Sequence, residues 1–253
     1  MKQRCLKKSP VVFCALFCFC TFNYGQEKVV NTSDQEWIHS YATFGLSESL
    51  NLQADGGYRW KNGLVNRSQY IIRLGGSYEL GKWFQLAGGI AYSGTYVDGS
   101  LGRVEFRPYQ DIALKININK VNILQRFRLE ERFINPVFNG RIQNSNSFNM
   151  RYRYAIVLYI PLFRPFKNLP DSQFILNVGD EIFINGGDNI NYLFDQNRFS
   201  VCPTVKWNKN FSVGLNWTHS YATTSMLDTF LRTDIIWLQI RQRFMLYHKK
   251  GSE

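Results

Sequence analysis

Residues 121–133 read VNILQRFRLEERF, and every second residue from Asn122 gives Asn122, Leu124, Arg126, Arg128, Glu130 and Arg132. The other phase gives Val121, Ile123, Gln125, Phe127, Leu129, Glu131 and Phe133. Residues 148–160, FNMRYRYAIVLYI, repeat the arrangement: Phe148, Met150, Tyr152, Tyr154, Ile156, Leu158 and Ile160 oppose Asn149, Arg151, Arg153, Ala155, Val157 and Tyr159. A period of two marks β-strands, because successive side chains leave a pleated ribbon on opposite faces. One phase is too charged for a dry core and the other too aromatic for a water-facing surface. The pattern therefore predicts an all-β fold turned inside out: a single closed antiparallel transmembrane β-barrel with lipid outside and a polar, Arg-rich lumen.

Outward from this stretch, eleven segments are long enough to cross a bilayer as tilted strands. They lie near residues 36–46, 50–61, 66–80, 83–96, 105–117, 121–134, 148–162, 173–185, 194–207, 211–221 and 230–244. Gly81-Lys82, Asn119-Lys120 and Asn208-Lys209-Asn210 read as tight turns, whereas 97–104, 135–147 and 186–193 read as longer loops. Short turns at one end and longer loops at the other describe an outer-membrane barrel. The segment 163–172, with Pro165 and Pro170, is long but falls at the short-turn end. Bacterial single-chain barrels have even strand numbers, so the expected count is 10 or 12, with one segment false or a short strand hidden in residues 26–35. Trp37, Trp60, Trp83, Trp207, Trp217 and Trp237 are expected to form interfacial belts.

The amino terminus reads as an export signal: a basic start at Lys2, Arg4, Lys7 and Lys8, an apolar run from Val11 to Phe22, and a small residue, Gly25, before Gln26. That run is too short for a spanning helix. Phe17 precedes Cys18 and Phe19 precedes Cys20, which disfavours lipidation. The division expected is 1–25 cleaved signal, 26–244 barrel and 245–253 tail. Of the 5 cysteines, Cys5, Cys14, Cys18 and Cys20 would leave with the signal. Cys202 then remains alone on a strand flank, with neither a disulfide nor a metal or cofactor site implied. Processing removes four of 30 basic residues and none of 19 acidic ones, taking the formal charge from +11 to +7. The arginines alternate along strands among carboxylates, and no basic helix or nucleic-acid motif accompanies them, so nucleic acid is not an expected partner. A mean hydropathy of -0.26 is compatible with a barrel, in which alternate residues alone meet lipid.

Several fragments in order resemble a family of Gram-negative outer-membrane barrels, domain of unknown function 2490. They are Trp37 in the first strand, Tyr58-Arg59-Trp60, Arg128-Leu129-Glu130-Glu131-Arg132-Phe133, Arg151-Tyr152-Arg153-Tyr154, Asp180-Glu181-Ile182-Phe183, Phe194-Asp195-Gln196-Asn197-Arg198 and Trp237 through Phe244. The likeness spans nearly all of the chain after the signal. It implies a barrel in the outer membrane, placed there by assembly machinery among outer-membrane lipids, and it implies no reaction.

Lumen chemistry must carry the functional reading. The inward phase is expected to hold Arg73, Asp111, Lys115, Arg126, Arg128, Glu130, Arg132, Arg151, Arg153, Glu181, Arg198, Arg241 and Arg243, with cations in excess. Glu130 and Glu181 should bridge arginines of neighbouring strands, Arg198 among them, because an uncompensated charge in a low-dielectric space costs several kcal/mol. Two roles follow: a largely plugged, non-enzymatic structural barrel, or a porin-like path or pocket for small anionic solutes. A lipid-modifying enzyme is the competing class. His39-Ser40 and His219-Ser220 lack a local partner acid, adjacent residues face opposite ways, and His248 lies in the tail, so no catalytic constellation emerges.

Overall fold

A computed structural model describes residues 28–145, 147–187 and 190–247. The export-signal reading and His248 lie outside the described residues, as does most of the tail. Twelve strands follow in order: β1 (Val29–Gly45), β2 (Leu50–Lys61), β3 (Asn66–Leu80), β4 (Phe84–Val97), β5 (Ser100–Ile118), β6 (Val121–Phe138), β7 (Arg141–Ile142), β8 (Ser147–Phe163), β9 (Gln173–Gly186), β10 (Phe194–Asn208), β11 (Phe211–Thr223) and β12 (Thr229–Met245). No helix occurs among the described residues.

Eleven strands are staves of one closed ring. Each pairs antiparallel with its neighbour in sequence, β6 joining β8 directly, while β7 is a two-residue return outside the ring against the end of β6. The ring closes between β1 and β12. This corrects the expected parity: no segment is false, and residues 29–35 belong to β1 itself rather than to a hidden strand. It also corrects the all-antiparallel expectation at one place. Alternating directions over an odd number of staves bring the first and last to run the same way, and β1 pairs with β12 in parallel along all 17 of its residues, from Val29↔Thr229 to Gly45↔Met245. Parallel pairing is slightly weaker per residue. Aromatic pairs reinforce this seam: Trp37 meets Trp237 edge-on at 5.2 Å between centroids, and Phe44 stacks on Phe244 at 5.2 Å.

The upper rim is the end where β1 and β12 begin; the lower rim is where they end. At the lower rim the tight turns at 81–83, 119–120 and 209–210 join strands as expected. The upper rim differs from expectation, because 97–104 is almost entirely strand. Asp98 and Gly99 both have positive φ, 49° and 77°, the twist-matched two-residue hairpin turn, and Asn139-Gly140 repeats it with 48° and 73° before β7. The long lower-rim connector folds on itself: the Ser172 hydroxyl donates to the Phe166 carbonyl at 3.0 Å, and Phe166 stacks near Trp207.

Alternation sorts the side chains. Leu52, Leu74, Leu86, Ile112, Phe127, Tyr152, Tyr154, Ile156 and Leu215 point outward and are exposed, while Arg128, Glu130, Arg151 and Arg153 point inward and are buried. Leu129, Leu238 and Ile240 share the outward phase. The outer surface is mainly apolar from the lower rim through the middle, apart from polar residues such as Gln125, Asp180 and Gln242. Towards the upper rim it carries Asp34, Glu36, Glu131, Asn197, Arg232 and Asp234. Of the six tryptophans, Trp37 and Trp237 depart from the belt: they lie in the inward phase, and Trp37 is buried at 4% exposure. Cys202 is buried within β10 rather than on a flank, with its sulfur 3.5 Å from Thr204 Oγ1.

Candidate functional site in the barrel lumen

Ion pairs span the middle of the lumen. Glu130, 1% exposed, is the hub: its carboxylate receives Arg151 at 2.6 Å and Arg153 at 2.6 Å, with Arg107 at 3.7 Å and Arg128 at 3.9 Å. Register explains the convergence. Glu130 stands opposite Arg151 across β6–β8, Arg128 stands opposite Arg153, and the other flank of β6 places Tyr109 beside Glu130 with Arg107 two residues along. Glu181 on β9 accepts Arg126 at 2.6 Å and both nitrogens of the Arg153 fork, so Arg153 ties Glu130 to Glu181 across three strands. Asp111 takes the Arg128 fork at 2.6 and 2.6 Å, and Glu105 takes Arg132 at 2.6 Å and Arg107 at 2.8 Å. Such bidentate pairs fix geometry as well as charge.

Aromatic rings fill the spaces between the charges. Phe183, 1% exposed, lies under Arg153 at 4.4 Å, Arg198 at 4.8 Å and Arg151 at 5.4 Å, and Tyr109 lies under Arg128 at 4.2 Å. Cation–π contacts of this kind stabilise a partly desolvated guanidinium by about 0.5–2 kcal/mol each. A second cluster crosses β1–β3, where Asp55 accepts from His39 at 2.7 Å and Arg73 at 2.8 Å. Gly57 opposite His39 leaves room for the imidazole; a Cβ there would collide with the ring. Near the lower rim Lys115 pairs with Glu79 at 2.6 Å.

Three members of the expected network stand apart from its Glu130 hub. Among the described residues Arg198 makes no ion pair or hydrogen bond and rests instead on Phe183 and Trp37. The forks of Arg153 and Arg126 already take up Glu181, the nearest acid across β9–β10. Arg241 bonds Gln239 and stacks over Tyr41 at 4.4 Å, near the lower rim. Arg73 is paired, but with Asp55 rather than with the hub. Arg243 reaches Asn51 at 3.4 Å.

Sequence reasoning missed Glu105 and Arg107, which continue the inward phase of Tyr109 and Asp111, and Arg103, which the loop reading of 97–104 concealed. It also missed the acids of both histidines. His39 meets Asp55 and His219 meets Asp234 at 2.9 Å, each on the neighbouring strand, a signal that pairing register alone reveals. His219 and Asp234 lie on the outer surface, 38% and 47% exposed, and Phe199 flanks His219 on the other side.

The described His, Cys, Asp and Glu residues form no group that could hold a metal ion. Comparison with curated proteins and with solved structures finds no match. The sequence model of the family described as "Protein of unknown function (DUF2490)" matches residues 34–230, from the first stave to the start of the last, and the chain belongs to that family.

Proposed function

We propose that this protein is exported through a cleaved amino-terminal signal and inserted in the outer membrane as a non-enzymatic barrel. Its lumen is largely plugged, and its role is structural with binding of small anionic solutes rather than open-pore diffusion. The observation that carries the membrane part is the inversion of polarity across each stave: apolar side chains are exposed outside while charged ones are buried inside. A water-soluble barrel would favour the reverse arrangement. A tilted strand needs about ten residues to cross the hydrocarbon layer, and the staves have 12 to 19. In this reading they overhang the bilayer, and the polar outer residues towards the upper rim support an overhang at that end.

The plug part rests on the ion-pair bridges that run across the lumen through Glu130 and Glu181, with bulky arginines and rings between them. Fractionation of cells expressing the full chain, with gel mobility compared before and after boiling, tests the placement. Recovery in the outer membrane with a boiling-dependent mobility shift is expected; a soluble product without such a shift would overturn it.

A lipid-modifying enzyme is the second reading, and the His219–Asp234 pair on the outer surface is what favours it. A general base oriented by a carboxylate is half of a hydrolytic site. Its strand neighbours at the same level, Phe199 and Asp234, supply no nucleophile. Release of fatty acid from phospholipid vesicles that is lost in Asp234→Asn would establish this reading.

A further inference from the structure

The arginines of the lumen are unevenly matched. Eight inward cations reach a carboxylate, whereas Arg59, Arg103 and Arg198 reach none among the described residues, and these three line one cavity of about 170 Å³ at the upper mouth. No aspartate or glutamate lines it. The indole of Trp37 forms its inner wall, with the Arg59 guanidinium carbon 3.8 Å and that of Arg198 5.3 Å from the ring centroid. The Nε atoms of Arg59 and Arg198 are shut off from solvent without a hydrogen-bond partner, and the hydroxyls of Ser68 and Ser220 line the same cavity.

Three guanidiniums gathered without a carboxylate in contact, with Arg59 donating only to the Gln69 amide oxygen among the described residues, would ordinarily repel one another, and each buried donor left unmade is costly. In the middle of the lumen the arginine clusters surround carboxylates, as at Glu130 and Glu105, and at the lower mouth Arg241 and Arg243 bond the amides Gln239 and Asn51. The upper cavity has the arginines and lacks the acid.

We propose that this cavity is a binding site for a small oxyanion, a carboxylate or phosphate group entering from the upper mouth and held by the forks of Arg59, Arg103 and Arg198. Planar forks with fixed donors suit both anions. The apolar wall at Trp37 and Ile235 accommodates the carbon skeleton of an organic anion. The site deepens the anion-binding part of the proposed role and rests on it, and it requires no continuous path, because the Glu130 plug lies below it.

The test is calorimetric titration of the purified full-length protein in detergent micelles with inorganic phosphate and, separately, with succinate, at constant chloride ionic strength. Saturable binding of at least one is expected, and the stronger of the two identifies the source chemistry. Arg59→Gln and Arg198→Gln should each weaken it about tenfold or more, as expected for loss of a charged hydrogen-bonding partner. Arg241→Gln, at the opposite rim, should leave it within a factor of two. Boiling-dependent gel mobility, read on every variant, confirms that the barrel is folded; if a glutamine variant fails that check, Arg198→Lys, which retains charge and loses the fork, takes its place and should still weaken binding. No saturable binding of either anion overturns the proposal, as does binding that survives both upper substitutions or falls equally in Arg241→Gln. The titration reads the cavity in any folded barrel, so its failure is distinguishable from a failure of outer-membrane fractionation.

Discussion

Glu130 shows what a single carboxylate does in a space that excludes most water. Four guanidiniums lie within 3.9 Å of it, and it is 1% exposed, so its removal takes a counter-charge from all four at once, leaving Arg107 to Glu105, Arg128 to Asp111, Arg151 to Asp195 and Arg153 to Glu181. Breaking a buried ion pair by deleting one partner costs about 3–5 kcal/mol, far more than an exposed pair contributes. Glu130→Ala is therefore expected to lower unfolding free energy in urea titrations of the vesicle-embedded barrel by about that amount. Arg198→Gln should change it little, because that cation has no acid to lose and relief of repulsion offsets its ring contacts. A Glu130 variant as stable as the parent would remove the hub from the account. The arginine ladder was legible from alternation, since residues 121–133 and 148–160 carry it in plain sequence. The choice of partners was not. Whether Arg198 meets Glu181 depends on which of several forks reaches the carboxylate first, a three-dimensional competition with no one-dimensional trace.

The staves themselves were legible because each is long and keeps its period, and the eleven segments read from sequence correspond to the eleven in the ring. Their ends were not: 97–104 looked like a loop because it contains Gly99, Ser100 and Gly102, yet Asp98-Gly99 is the pair that a two-residue hairpin demands. The parity rule misled as well. The sequence held eleven staves, and the expectation of an even number came from other barrels rather than from these residues. Residue type alone suggests belts for the tryptophans, whereas Trp37 and Trp237 keep the inward phase of His39 and Gln239. The parallel seam carries its own test. Ala42 pairs with Gln242, both outward, and Cα partners in adjacent strands fall within disulfide reach. Ala42→Cys with Gln242→Cys, in a Cys202→Ser background, should cross-link on mild oxidation, whereas Ala42→Cys with Asp234→Cys should not; the opposite pattern would reject the seam. Face assignment is checked by insertion. Leu238→Arg places a charge on the apolar collar and should cost about 2–4 kcal/mol if it lies near the bilayer midplane, whereas Glu131→Arg, on the polar upper part, should cost under about 1 kcal/mol in the same refolding titration.

At the scale of the molecule, an apolar exterior, a neutralised middle and cation-rich mouths form one arrangement. The upper mouth holds Arg59, Arg103 and Arg198, and the lower holds Lys206, Lys209, Arg241 and Arg243. Between them the carboxylates are matched to arginines across the lumen, and in the proposed plug an anion drawn to either mouth meets a barrier rather than a path. In the proposed plug, the Glu130 network is the barrier that closes the barrel. Single-channel recording in planar bilayers tests it most directly. The wild-type barrel is expected to be silent or to show brief, small events, and Glu130→Ala to open more often and favour anions, because the arginines it leaves with less counter-charge remain in the lumen. Large, stable, ohmic conductance through the wild-type protein would contradict it.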